Sequence, residues 1–154
     1  MKVLLAGAFG HVGSAILKEL VDAGHNVVAA DIGKRKLDFD GFLARTIDFT
    51  NPSEVKGCCE GVDLVITNLA LIQVSDIITP EEVDYQSNKN LLDEAVKSGV
   101  KHFVYVSEYK METAPNISLF SARLKFEEAL KESGLTYTIF RPVGFFFDIA
   151  HRFD

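Results

Sequence analysis

The chain has 154 residues, of which 47% are apolar and 25% charged, with a formal net charge of −6 at pH 7. This composition fits one globular domain over residues 1–154, and the acidic balance without a basic stripe excludes nucleic acid as an expected partner. No apolar run reaches membrane-spanning length and no signal-peptide core follows Lys2, so the expected protein is cytoplasmic, without a membrane partner.

The chain opens on a strand, a glycine-rich turn, a helix and a second strand. Val3 to Ala6 is a short apolar run suited to a buried parallel strand. Gly7, Gly10 and Gly13 follow as G-x-x-G-x-x-G. Behind them Val12, Ala15, Ile16, Leu20 and Ala23 recur at helical spacing, and Gly24 stands where a helix stops. Val27 to Ala30 is the second apolar run, closed by Asp31.

Each part suits a dinucleotide. Gly7 allows a sharp turn out of the strand, Gly10 lets backbone approach a pyrophosphate, and Gly13 lets the helix pack closely. The N–H groups and dipole at the helix start favour an anion. Asp31 suits both hydroxyls of a ribose. The binding candidates here are Gly7, Phe9, Gly10, His11 (through its backbone), Val12, Gly13, Asp31 and Ile32. Asp31 favours NAD, because a carboxylate repels the 2′-phosphate of NADP. Lys34 and Arg35 favour NADP if they clamp that phosphate.

Further along, Arg45 to Asp48 reads as a weak third strand. Asn51-Pro52-Ser53 opens a short helix over Val55 to Glu60. The adjacent Cys58 and Cys59 offer neither a disulfide nor metal-ligand spacing. Val62 to Asn68 is a buried strand, and Thr79-Pro80-Glu81-Glu82 is a capping box for a helix running to about Ser98. That helix carries Val83, Leu91, Leu92, Ala95 and Val96 on its apolar face. Phe103 to Ser107 is a fifth strand. Ser118 to Ser133 is a helix burying Ala122, Phe126, Ala129 and Leu130, and Thr136 to Arg141 is a sixth strand. Strands alternating with helices predict an α/β doubly wound parallel sheet of order 3-2-1-4-5-6. Its ligand crevice lies at the strands' carboxyl ends, where Asp31, Asp48, Asn68, Ser107 and Arg141 fall.

These pieces resemble an atypical or extended short-chain dehydrogenase/reductase, of the NAD-dependent epimerase/dehydratase or NmrA-like kind. The matching segments are AGAFGHVG (6–13), Asp31, IDFTNPSEV (47–55), DLVITNLA (63–70), VDYQSNKNLLDEAVKSGVKHFVYVS (83–107) and KFEEALKESGLTYTIFRP (125–142). The resemblance implies an NAD- or NADP-binding Rossmann domain. It places Asp48 against the adenine amino group with Phe49 beside it, and Asn68, Leu69 and Ala70 along the central part of the cofactor. Asn88 helps order the site, and Pro142 and Val143 pass near the nicotinamide. Ser107 starts the catalytic segment, and Lys125 matches the lysine of Y-x-x-x-K that holds the nicotinamide ribose. Ser121, however, stands where that motif has its tyrosine, and a serine hydroxyl is a far weaker acid. Among the tyrosines only Tyr109, two residues past Ser107, suits as a substitute proton donor, the alternatives being water as the source and Tyr109 as a plain loop aromatic.

The implied activity is NAD(P)-dependent oxidoreductase or epimerase-like chemistry on a small carbonyl, sugar or quinone. The alternatives are a redox sensor without catalysis and a dinucleotide-binding domain unable to hold substrate. The resemblance also implies a substrate region beyond the sixth strand, most of which this sequence lacks. Phe145 to Phe147 either fold over the crevice, or meet a second subunit in a homo-oligomer, or belong to a natural protein longer than this sequence.

Overall fold

The computed structural model describes residues 1–33, 35–71 and 78–144; Lys34 and the Phe145–Phe147 segment lie outside them. Six strands, β1 (Lys2–Ala6), β2 (Asn26–Asp31), β3 (Phe42–Thr46), β4 (Leu64–Thr67), β5 (His102–Val106) and β6 (Thr136–Phe140), form one parallel sheet in the order β3-β2-β1-β4-β5-β6. The α-helices are α1 (His11–Asp22), α2 (Pro52–Val55), α3 (Asn88–Lys97) and α4 (Ser118–Glu132). A π-helical segment, Glu81–Ser87, runs directly into α3.

The strand order fixes which face each helix covers. Right-handed crossovers running in opposite directions along a sheet place their helices on opposite faces. Accordingly Val3, Leu5, Val27 and Ala29 pack with Leu17 of α1, while Leu4, Ala6, Val65, Phe103 and Tyr105 pack with Leu91, Ala95, Phe126 and Leu130 of α3 and α4. Alternating side chains of buried strands thus supply two cores.

Several boundaries differ from the sequence reading. β3 begins at Phe42 rather than Arg45, because Phe42 anchors it edge-on to Phe39, with ring centroids 5.7 Å apart. α2 starts at Pro52, where the Asn51 side chain accepts from the Ser53 N–H, and it ends at Val55, leaving turns up to Glu60. The capping box forms as expected: Glu82 accepts from the Thr79 N–H at 2.9 Å, and Thr79 Oγ1 accepts from the Glu82 N–H at 3.3 Å. Ala15, Ala23 and Val96 are exposed, whereas Leu17, Asp84, Ser87, Asn88 and Glu127 are buried. Cys58 and Cys59 are both buried thiols.

Candidate functional site: a glycine loop beside a buried ionic network

The glycine loop leaves β1 beside the exit of β4. Gly7 has φ +75°, and an added Cβ would lie 2.8 Å from the carbonyl oxygen of Asn68. Gly13 is tighter: a Cβ there would lie 1.9 Å from the Gly7 carbonyl oxygen. The first turn of α1 therefore rests directly on the loop. Gly10 is different, since its Cβ would meet only the Gly7 carbonyl oxygen, at 3.7 Å. The fold needs Gly7 and Gly13 bare, while the absent side chain at Gly10 leaves space in front of the helix's N–H groups.

Asp31 holds this loop in shape. Its Oδ2 accepts the Phe9 N–H at 2.9 Å and its Oδ1 accepts the Ile32 N–H at 2.8 Å. Each carboxylate oxygen has a second lone pair, so ribose hydroxyls still find acceptors. The ring of Phe9 is buried against Phe42, with centroids 6.2 Å apart, so this residue offers a ligand its backbone rather than its ring. His11 and Ile32 are exposed and Val12 is half-buried.

The remaining candidates separate into three groups. Asp48 follows β3 and shapes its own turn, with Oδ1 accepting from the Thr50 N–H at 2.9 Å and from Thr50 Oγ1 at 2.7 Å. Phe49 is 3% exposed and belongs to the core, which leaves its ring unable to lie beside an adenine. Asn68 and Leu69 are half-buried at the β4 exit, and Ala70, Arg35 and Val143 are exposed, with Pro142 half-buried.

Asn88 is fully buried, which removes it from direct ligand contact. Its Oδ1 accepts from Thr67 Oγ1 at 2.6 Å, and its Nδ2 donates to the carbonyls of Leu69 at 3.1 Å and Asp84 at 3.0 Å. It thereby sets the path of the β4 exit, an ordering role.

Ser107 and Lys125 are not brought together. Ser107 is 5% exposed, and its hydroxyl donates to Glu127 Oε1 at 2.7 Å. Glu127 is itself fully buried and also accepts from Arg141, whose Nε lies 3.0 Å from Oε1 and whose Nη2 bonds Oε2. The Ser107 proton is thus committed inward. Lys125 lies on the exposed side of α4, its ammonium paired with Glu81 and set 3.8 Å from the centroid of the Tyr85 ring. The Glu81 bond raises its pKa. The α4 stripe that faces inward is Ala122, Phe126 and Leu130, flanked by Arg123 and Glu127; Ser121 and Lys125 are exposed.

Arg123 was not legible as a site residue. Its side chain is 12% exposed, with Nε 2.8 Å from Asp84 Oδ1 and Nη1 2.5 Å from Glu108 Oε2. Asp84 is fully buried and also accepts the Leu71 N–H at 3.2 Å. Burial pushes the Asp84 carboxyl above its ordinary range, against the pull of Arg123. A carboxyl with a raised folded-state pKa contributes most below its unfolded value, about 3.9, and loses that contribution as pH rises through the folded value. The stability difference between wild type and Asp84→Asn is therefore expected to shift against wild type as pH rises from about 4 to 7. Urea midpoints across that range measure it; a difference that grows in wild type's favour contradicts the assignment. Tyr105, 1% exposed and edge-on to Phe126, completes this buried wall, and burial raises its phenol pKa as well. Tyr109 is 49% exposed at the rim, where its N–H bonds the Pro142 carbonyl at 3.1 Å.

On the α1 face, a groove of about 460 Å³ runs from Val12 and Ile16 past Ile66, Val104 and Phe140 to Pro142. It links the glycine loop to the β6 exit. A family model described as NAD(P)H-binding matches residues 7–152. The chain belongs to the NAD(P)H-binding family. Photosystem II assembly factor Ycf39 of Synechocystis sp. is similar, 30% identical over 94% of this chain and 45% of its own length. Divinyl chlorophyllide a 8-vinyl-reductase of Arabidopsis thaliana is 30% identical over 95% of this chain and 40% of its own length. The chain thus spans less than half of either relative. The UDP-glucose 4-epimerase of Thermus thermophilus, solved with NAD, superposes with a TM-score of 0.80 at 24% identity, over 92% of this chain and 54% of that one. This NAD(P)H-binding chain therefore has a Rossmann fold, the fold it shares with that epimerase, as its motifs led us to expect.

Proposed function

We propose that this NAD(P)H-binding chain is an oxidoreductase that favours NAD(H) over NADP(H) and acts on a small acceptor, with quinones the best-supported class. The observation that carries the dinucleotide part is the glycine loop, packed to contact at Gly7 and Gly13 and open at Gly10. Gly10 and the first turn of α1 would receive the pyrophosphate, and Asp31 the adenosine ribose. Asp48 and the β4 exit line the path, and the apolar groove between Val12 and Pro142 suits a flat aromatic end. A bound dinucleotide supplies or accepts a hydride.

The choice of acceptor follows from the acids on offer. A carbonyl reduced by hydride develops a strongly basic alkoxide and needs an acid beside it. Ser121 cannot serve, Ser107 is bound to Glu127, and Tyr109 is exposed at the rim. A quinone that takes a hydride becomes a resonance-stabilised hydroquinone anion, which takes its proton from water. Tyr109 or water is the proton source for a carbonyl. The second reading, a sensor that binds without turnover, is favoured by the engagement of Lys125 with Glu81 rather than the crevice.

Steady-state NADH oxidation separates them. The expected result is turnover with 1,4-naphthoquinone and slower turnover with simple ketones and aldehydes, the latter reduced further in Tyr109→Phe. NADH binding with no turnover on either class supports the sensor reading instead.

A further inference from the structure

We propose that Arg123 is an anion-recognition residue of the crevice, and that Glu108 is an internal carboxylate occupying the place of a substrate's acidic group. The inference deepens the function proposed above, since it rests on the crevice beyond β5 being the substrate side of a dinucleotide site. The substrate class it names is a small acceptor, a quinone foremost, that carries a carboxylate group.

Two guanidinium groups described in the structure lie toward the carboxyl ends of β5 and β6, and they are held in different ways. Arg141 is bound to Glu127, whose side chain is fully buried and whose Oε1 also takes the Ser107 hydroxyl. That partner has no route to water, so Arg141 stays engaged. Arg123 is anchored on one side only by a buried group, Asp84 at 2.8 Å. On the other side its Nη1 meets Glu108, whose side chain is 41% exposed. Glu108 can turn into solvent, because an exposed carboxylate regains its hydration when it leaves an ion pair.

Position and charge support the same assignment. Glu108 lies between Ser107, at the end of β5, and Tyr109, the exposed phenol at the rim. The Arg123–Glu108 contact is therefore at the crevice end of the sheet. A planar guanidinium fixed through its Nε presents its remaining N–H groups in a direction that suits a carboxylate. Exchange of Glu108 for an external carboxylate leaves the charge around Arg123 unchanged. Asp84 keeps the guanidinium in place during the exchange, since it is held in turn by the Leu71 N–H.

Chemical rescue tests the proposal. The full chain is prepared with ¹⁵N label as wild type, Glu108→Ala, and Glu108→Ala combined with Arg123→Lys, and the Arg123 Nε–Hε resonance is followed during titration with acetate. Glu108→Ala is expected to bind acetate saturably, with a Kd on the order of 10 mM for one charge-assisted pair. Acetate is expected to move the resonance toward its wild-type position, and neutral acetamide to leave it unmoved. Wild type is expected to need at least about tenfold more acetate, because Glu108 competes. The Arg123→Lys combination, which lacks the reporting resonance, is expected to lose the saturable shifts of neighbouring backbone amides. Absence of a saturable acetate response in Glu108→Ala, or its persistence in the Arg123→Lys combination, overturns the site. NADH fluorescence on the same samples reads the dinucleotide proposal separately. NADH binding without an acetate response removes the anion site alone; an acetate response without NADH binding overturns its assignment to a dinucleotide-dependent reaction.

Discussion

Gly13→Ala is expected to destabilise the chain and weaken dinucleotide binding, whereas Gly10→Ala is expected to weaken binding at least about tenfold and leave stability almost unchanged. The contrast follows from where each new methyl would go. At Gly13 it would lie 1.9 Å from the Gly7 carbonyl oxygen, so α1 or the loop must move. Overpacking of this kind costs about 3 kcal/mol, and for a chain of this size about 6–12 °C in Tm. At Gly10 the nearest protein atom would be 3.7 Å away, and the backbone there, φ −69° and ψ 173°, suits any L-residue. Its methyl would instead occupy the space proposed for the pyrophosphate, and NADH affinity is expected to fall at least about tenfold, or about 1.4 kcal/mol. Thermal denaturation and NADH titration of both variants measure the two effects. Equal loss of Tm in the two variants contradicts the packing described for the loop.

Glu127→Ala is expected to be the most damaging change outside the loop. Glu127 is fully buried, with Oε1 accepting from both Ser107 and Arg141 and Oε2 from Arg141. Its removal leaves a guanidinium and a hydroxyl without their acceptor beneath the β5 and β6 exits. Losing one partner of a buried pair costs about 3–5 kcal/mol. Arg141 is 36% exposed, so water recovers part of its charge and the lower end, about 3 kcal/mol, is the expected value. Ser107→Ala, which removes one neutral donor to a carboxylate that keeps Arg141, is expected to cost about 1 kcal/mol. Urea denaturation gives both values. Similar losses in the two variants would show that Arg141 draws its stability from elsewhere.

The strand order, the glycine loop and Asp31 were legible in the sequence because each is a local constraint. Gly13 is demanded by a contact with Gly7 inside the same loop, Gly7 by its positive φ and the neighbouring β4 exit, and alternating strands and helices leave few topologies. The ionic network was not legible, for a physical reason. A charged residue on a helix reads as part of its solvated face, and Asp84, Arg123 and Glu127 lie inside because they find one another or partners across the sheet's end. A signal was present: Glu127 directly follows Phe126 on the apolar stripe, and Arg123 directly follows Ala122. A site role for Lys125 rests on motif spacing, which fixes its place along α4 and not the way α4 faces. In the fold its side chain meets Glu81 and Tyr85, so Lys125→Ala is expected to leave NADH affinity unchanged.

The central claim is that a nicotinamide dinucleotide binds at the glycine loop with its adenosine ribose on Asp31. Titration of NADH and NADPH, followed by the fluorescence of the cofactors, tests it most directly, since the chain contains no tryptophan. NADH is expected to bind more tightly than NADPH, and Asp31→Asn, which keeps an acceptor for the Phe9 N–H while removing the charge, is expected to narrow that gap. Binding of neither cofactor to the wild-type chain would contradict the account outright, and a preference for NADPH that Asp31→Asn does not alter would contradict the role given to Asp31.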